Sequence, residues 1–504
     1  MHRPPPPTMG GRVHPSAPET RVIRRVLLLA GLLLTSVVSA RAQDALAPAL
    51  IASPDPATLR HALVELATRA SVADSVVAAE AWALTGQSYH RAGKADSAIS
   101  SWQRSIEIRA ASGAMDALID GLYERRGTDD VAAGRALVMR RFQMLLLDAG
   151  EFDQANTQGR LSWGLFLSGR ADSAKKSFAR SRRLLDQGNP MAWVWRRRIA
   201  VTAQAAGDQE LALEMCKDLV VRSMLQDQEA LRLLHDVLGG SQADERYAPF
   251  LRADVVHAQR ADIEQLAAIH ARRVALSGID GFPVSTVLFD TPRPARRAVI
   301  AIATSTEEYA RFDSLAAALG RAGWALAVMD ARGSGGSLAR ECPSPESWSG
   351  REETMESATA GDVRRAFSAV AHEAKLDSTA YVVLGSIGTA SIAVEAAVLD
   401  RRVRALVLLS PMPPRVELGR MAARLERGRV PTFIETAPAD VGAADVGAAL
   451  YGFVDPKLSR LVDSESTGRG PMVFRFDGTA GPRLTSWLLE RFPPKTATRP
   501  APPR

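Results

Sequence analysis

Between residues 281 and 492 short apolar runs alternate with segments of helical periodicity, and this alternation constrains the fold more than anything else in the chain. Ala298 to Ala303, Ala325 to Asp330, Tyr381 to Gly385, Val403 to Ser410, Pro431 to Thr436 and Met472 to Phe476 read as strands. Val284 to Phe289 is β-rich and opens the series. Glu307 to Ala322, Gly361 to Ala374, Ile387 to Leu399 and Leu484 to Phe492 read as helices. Continuously apolar strands separated by helices predict a doubly wound, mostly parallel sheet covered on both faces. Ligands of such sheets bind at the carboxyl ends of the strands.

The preceding half is different. Residues 43–255 are helical almost throughout, and a seven-residue stretch recurs. Ala92-Gly93-Lys94-Ala95-Asp96-Ser97-Ala98 returns as Ser168-Gly169-Arg170-Ala171-Asp172-Ser173-Ala174, and weaker copies lie at Gly150 with Ala155 and at Gly207 with Ala212. Around the first copy stand Trp82, Leu84, Gly86, Tyr89, Gly93, Ala98 and Trp102. Small residues let antiparallel helices approach, and aromatics fill the space between successive hairpins. These spacings resemble the tetratricopeptide repeat. The resemblance implies an N-terminal α-solenoid of three to five hairpins whose concave face takes a protein or peptide partner; an irregular helical bundle is the competing reading. Residues 256–280 read as a linker helix, clearest from Asp262 to Leu276, and residues 493–504 as a disordered Pro-rich tail.

Residues 1–42 have the composition of a secretory signal. Arg21, Arg24 and Arg25 precede an apolar run from Val26 to Val38, and Ala40-Arg41-Ala42 is a small-x-small cleavage site. The run is shorter than the roughly 20 residues a membrane span needs, so cleavage is expected over a retained anchor, and with it export to the periplasm or beyond. Removal takes away six Arg and one Glu, so the chain's +7 falls to about +2. That balance argues against nucleic-acid binding, which draws on excess cations to displace phosphate counterions. The two cysteines, Cys216 and Cys342, are far apart in the sequence, and no Cys/His grouping has metal-ligand spacing. No metal or cofactor is expected.

Two stretches carry a second resemblance. Asp330-Ala331-Arg332-Gly333-Ser334-Gly335-Gly336-Ser337 looks like the D-x-R-G-x-G-x-S turn of α/β-hydrolases. The resemblance gives Asp330, Arg332, Gly333, Gly335 and Ser337 a structural role. Val382-Val383-Leu384-Gly385-Ser386-Ile387-Gly388-Thr389 lies where a nucleophile elbow belongs. Aligned on Ser386, Gly388 matches the later glycine and Leu384 replaces the earlier one. Shifted by one residue, Gly385 becomes the first glycine and Ile387 stands at the nucleophile position. Ser386 is the favoured candidate nucleophile; its plainer role is a helix N-cap. The resemblance places the acid after the strand at 431–436, where Asp440 is the first candidate and Glu435 the second.

The base is missing. In this family a histidine follows the last strand, and the corresponding stretch from Arg475 to Arg483 has none. No histidine occurs after His372. The loop Ala303-Thr304-Ser305-Thr306 also lacks the glycine usual near an oxyanion hole. A serine hydroxyl needs a general base near neutral pH. The sequence therefore predicts a hydrolase fold kept for binding, with a small ester-like ligand possible, and a weak serine esterase as the alternative.

Overall fold

The computed structural model describes residues 46–53, 55–70, 74–148, 151–185, 192–205, 207–222, 234, 237, 264, 266–303, 306–334, 336–337, 352–437 and 441–493. The signal segment, Gly150, Gly335, Cys342, Asp440, the Thr304–Ser305 pair and all but the first residue of the tail lie outside these.

Residues 46–52 are helical, followed by α1 (Pro56–Arg69), α2 (Ser75–Arg91), α3 (Ala95–Ile108), α4 (Ser112–Arg125), α5 (Thr128–Asp148), α6 (Glu151–Leu167), α7 (Ala171–Leu185), α8 (Ala192–Ala205) and α9 (Gln209–Arg222). The turns between α2 and α3, α6 and α7, and α8 and α9 are built alike. Gly93, Gly169 and Gly207 each take a left-handed φ near +70°, open to glycine without steric cost. The amides of Lys94, Arg170 and Asp208 close the turns on the carbonyls of Tyr89, Leu165 and Ala203 at 2.8–2.9 Å. Ala98, Ala174 and Ala212, the small positions that follow, are fully buried. Trp102, Tyr123, Trp163 and Trp195 form the core between hairpins, with Tyr123 edge-on to Trp163 at 5.0 Å. Cys216 is buried in this core.

The second half is an eight-stranded sheet of order β1-β2-β4-β3-β5-β6-β7-β8. The strands are β1 (Ala271–Ser277), β2 (Pro283–Phe289), β3 (Arg297–Ala303), β4 (Trp324–Asp330), β5 (Tyr381–Ser386), β6 (Val403–Leu409), β7 (Thr432–Thr436) and β8 (Arg460–Asp463). β2 runs antiparallel to both neighbours, and β3 to β8 pair in parallel. Side chains alternate between the faces. Val299, Ala301, Leu326, Val328, Val382, Leu384, Val407 and Phe433 face α10 (Asp313–Arg321) and α15 (Ala480–Arg491). Ile300, Ile302, Ala327, Met329, Val383, Leu406, Leu408 and Ile434 face α11 (Glu352–Glu373), α12 (Ala390–Leu399) and α13 (Leu418–Gly428). α14 (Val441–Tyr451) packs beside β7 and β8. Burial on two faces explains why these strands read as unbroken apolar runs.

Two sequence expectations are corrected here. The linker helix expected through Leu276 is not formed over Ala271–Ser277, which is β1, laddered residue for residue on β2. Ala, Arg and Leu are good helix formers, but the Gly278–Gly281 turn, with Gly281 at φ +83°, folds the segment back onto its partner. The last strand is Arg460–Asp463 rather than Met472–Phe476. The latter forms a 3-10 turn at Gly470–Met472 and one helical turn at Val473–Phe476.

The first helices share a core with the sheet domain. Leu46, Leu50, Leu59, Leu63 and Leu84 pack in the cluster that includes Val363 and Leu418. Arg91 bridges to Glu356 at 3.0 Å and to Glu417 at 3.3 Å, and Arg415 pairs with Glu80. Among the described residues no helix is long and apolar enough to cross a membrane.

Candidate functional site

The carboxyl rim of the sheet holds the residues singled out by sequence. After β4, Asp330 accepts from the Tyr309 hydroxyl at 2.5 Å and from the Gly336 amide at 2.8 Å. Burial and the Asp330 carboxylate raise the Tyr309 phenol well above its ordinary range. Ser337 donates to the Asp330 carbonyl at 3.0 Å and accepts from the Ser285 amide at 2.9 Å, tying the turn to β2. Gly333 takes φ +71°. Arg332 is buried between two carboxylates. It makes paired bonds to Asp362 at 2.7 and 3.0 Å and to Asp280 at 2.7 Å twice. The bonds from Arg332 hold the Asp280 carboxyl down at about 2.

After β5 the chain makes a sharp turn into a 3-10 turn (Ile387–Thr389) and α12. Ser386 is the last residue of the strand, with extended backbone at φ −128°, ψ 142°. Ile387 is the residue at φ +50°, a conformation rare for a β-branched side chain. The residue with positive φ in this turn is thus Ile387 and not Ser386. Gly385 confirms the register. A Cβ there would stand 2.6 Å from Ala393 Cβ and 2.9 Å from both Ala390 Cα and the Thr389 carbonyl, so helix and strand meet only because it is glycine. Gly388 would meet nothing within 4 Å, so it is not the close-packed glycine that alignment on Ser386 requires. The position of the later glycine falls on buried Thr389, whose hydroxyl accepts from the Ser386 amide at 2.9 Å. The close approach at Gly385 and the positive φ at Ile387 match the alignment shifted by one residue, with Gly385 as its first glycine.

β8 ends at Asp463, so the loop Ser464–Met472 is the one that follows the last strand. This loop lies over the elbow: a Cβ on Gly470 would be 3.5 Å from Ser386 Cβ and from the Ile387 side chain. The Gly470 amide donates to Ser410 Oγ at 2.9 Å. No histidine is present in it. The described histidines sit elsewhere. His61 is on α1, His90 at the end of α2, His270 ahead of β1, and His372 exposed near the end of α11. None of them hydrogen-bonds Ser386.

Glu435, second to last in β7, is the acid candidate that the structure describes. Its carboxylate is fully buried and receives Arg483 at 2.5 Å. Burial pushes its carboxyl up, against the pull of the guanidinium, and Oε2 has no partner. Arg483 also bonds Asp477 at 2.8 Å, and Ser464 donates to the same Asp477 oxygen at 2.9 Å. Hydrogen bonds from Thr479 and Arg483 hold the Asp477 carboxyl well below the usual carboxylate range. Arg483 and Asp477 lie within the stretch read as the place of the base, but nothing in their spacing predicts that a guanidinium would take up the rim carboxylates.

A second concavity lies between the domains. A cleft of about 960 Å³ is walled by α2 and α4, with Pro414, Val416 and Glu352 of the sheet domain opposite. Ala79, Ala83, Ala114 and Ala117 make its helical walls small-sided. The loop entering it leaves β6 through Met412, whose amide bonds the Ile387 carbonyl at 3.0 Å.

Residues 301–451 match the family model of the α/β hydrolase fold. The match agrees with the strand order and the single reversed strand inside the sheet, and these residues form an α/β-hydrolase fold domain. Similar solved structures include the esterase domain of a Rhodothermus marinus protein, at 12% identity and TM-score 0.34, covering 44% of this chain and 98% of that one. Another is the dienelactone hydrolase of Anabaena variabilis, at 17% and 0.33, covering 44% and 98%. A third is 2,6-dihydroxy-pseudo-oxynicotine hydrolase, at 16% and 0.32, covering 59% and 86%. No curated protein gives a significant match.

Proposed function

We propose that the chain is an exported, non-catalytic member of the α/β-hydrolase fold, a binding or scaffold protein whose partner is a protein or peptide. The observation that carries this is Ile387 at φ +50°. The position from which an elbow presents its nucleophile bears a hydrocarbon, which has no lone pair to attack a carbonyl. Ser386 stands one residue back in extended strand, and the loop that covers it carries no imidazole. The rim carboxylates Glu435 and Asp477 are committed to Arg483, and a guanidinium cannot take up a proton. The TPR-like hairpins, with the cleft they share with the sheet domain, support recognition as the function. The Arg-flanked apolar segment before residue 43 supports export.

The alternative is a weak serine esterase that uses Ser386 with Asp440 as acid. It is favoured only by the closeness of Ser386 to the covering loop. Hydrolysis of p-nitrophenyl acetate and butyrate by the parent and by Ser386→Ala separates the two readings. The expected rates are equal and at background. A rate above background that falls at least about a hundredfold in Ser386→Ala, the scale of losing a nucleophile, would overturn the non-catalytic reading.

A further inference from the structure

One loop touches both the elbow and the helical half. Residues 410–417, Ser410-Pro411-Met412-Pro413-Pro414-Arg415-Val416-Glu417, leave the end of β6 at the rim and reach the start of α13. Proline has no N–H, so of residues 411–414 only Met412 can donate from its backbone. It donates to the Ile387 carbonyl at 3.0 Å. Ser410 is held at φ +46°. Its amide donates to the Glu435 carbonyl at 2.8 Å, and its Oγ accepts from the Gly470 amide at 2.9 Å. This end of the loop is therefore tied to β7, to the turn that carries Ile387 and to the loop that follows β8.

The other end is tied to the helical half. Arg415 pairs with Glu80 on α2, and buried Glu417 takes Arg91 of the same helix at 3.3 Å. Val416 packs against the core that Leu59, Leu63 and Leu84 share with the sheet domain. Two residues after the loop, Gly419 lies against backbone of the helical half. A Cβ there would stand 2.8 Å from the Ser53 carbonyl oxygen and nearer still to that of Leu50. Between the two ends stands the pair Pro413-Pro414. Proline fixes φ near −65°, Pro414 sits at φ −49°, ψ 130°, and proline-rich segments behave as semi-rigid spacers. A displacement imposed at one end is passed on rather than absorbed.

We infer that residues 410–417 form a stiff strap that couples the seating of the helical half on the sheet domain to the conformation of the rim around Ile387. The cleft and the rim are then not independent surfaces. Pro414, Arg415 and Val416 line the cleft, so whatever shifts them there also pulls on the bond between Met412 and Ile387. The inference holds whether or not the rim carries out chemistry, and so goes beyond the non-catalytic reading above.

The test reads amide hydrogen exchange residue by residue on the purified full chain. Gly419→Ala forces a methyl against the Leu50 and Ser53 carbonyls and so displaces the far end of the strap. Exchange at Met412 and Gly470, the two amides bonded across the rim, is expected to rise at least about tenfold through local opening. The controls are Gly278 and Asp290, whose amides bond the Phe282 and His270 carbonyls at 2.7 Å beside β1 and β2, at the opposite edge of the sheet. They are expected to stay within about twofold. With Pro413→Gly and Pro414→Gly also in place, the strap absorbs the push, and the rise caused by Gly419→Ala falls below about threefold, a coupling read as a double-mutant cycle. Arg415→Gln combined with Glu417→Gln frees the same end without a steric push, and Arg91 keeps Glu356 while Arg420 keeps Glu353. It speeds the same two amides and serves where Gly419→Ala does not fold. Unchanged exchange at Met412 and Gly470 would overturn the inference. So would an equal rise at Gly278 and Asp290, the mark of general loosening, or a full rise that survives the glycine strap. None of these outcomes bears on the ester hydrolysis that tests the non-catalytic reading.

Discussion

The turns after β4 and β5 flank β3 at one rim of the sheet, and they differ in what their side chains accomplish. In the first, Asp330, Arg332 and Ser337 hydrogen-bond to their neighbours in the scaffold, and Gly333 takes a positive φ. In the second the shape survives: Gly385 still allows helix and strand to touch, and the apex still has positive φ. The residue at positive φ is isoleucine, and no described histidine hydrogen-bonds the neighbouring Ser386. Scaffold and chemistry are separable because they draw on different parts of the residue. A turn is held by backbone geometry and by groups pointing inward. A nucleophile is one outward atom, and changing it leaves the fold standing.

That contrast can be broken by substitution. The largest effect belongs to the first turn. Arg332→Leu leaves buried Asp362 without its cation, a loss of about 3–5 kcal/mol as measured by urea unfolding. The double variant with Asp362→Leu should recover much of it. No change on Arg332→Leu would mean that the ion pair is not structural. Next is the elbow's backbone. Gly385→Ala forces a methyl against backbone atoms and should cost about 1–3 kcal/mol, whereas Gly388→Ala, in open space, should be neutral or add about 0.4–1 kcal/mol. The opposite ranking would restore the register centred on Ser386. The smallest effect sharpens the comparison most. Left-handed backbone costs an L-residue roughly 1–2 kcal/mol, so Ile387→Gly should stay within about 1 kcal/mol of the parent despite losing its side chain. A larger loss would show that packing of the isoleucine outweighs its strain and that it serves as a core residue.

Much of this was legible in the sequence. The parallel strands announce themselves as apolar runs because both faces are covered. The repeated Ala-Gly-Lys-Ala-Asp-Ser-Ala stretch marks a helix–turn–helix because only glycine adopts that turn at no cost. What failed did so where neighbours distant in sequence decide. Ala271–Ser277 is helix-forming by propensity and becomes a strand because β2 offers it a ladder. Arg460–Asp463 is too short and too polar to read as a strand, and β7 makes it one. Glu435 reads in the sequence as the second acid candidate, and nothing near it announces its pairing with Arg483.

The sequence by itself therefore determined the helical first half and the mostly parallel sheet of the second, because these depend on composition and local periodicity. Only the tertiary structure decided which residue of the turn takes the positive φ, since Ser386 and Ile387 are adjacent and the spacing admits either alignment. The choice falls to the contact of Gly385 with Ala390 and Ala393, where a strand and a helix come too close for any side chain.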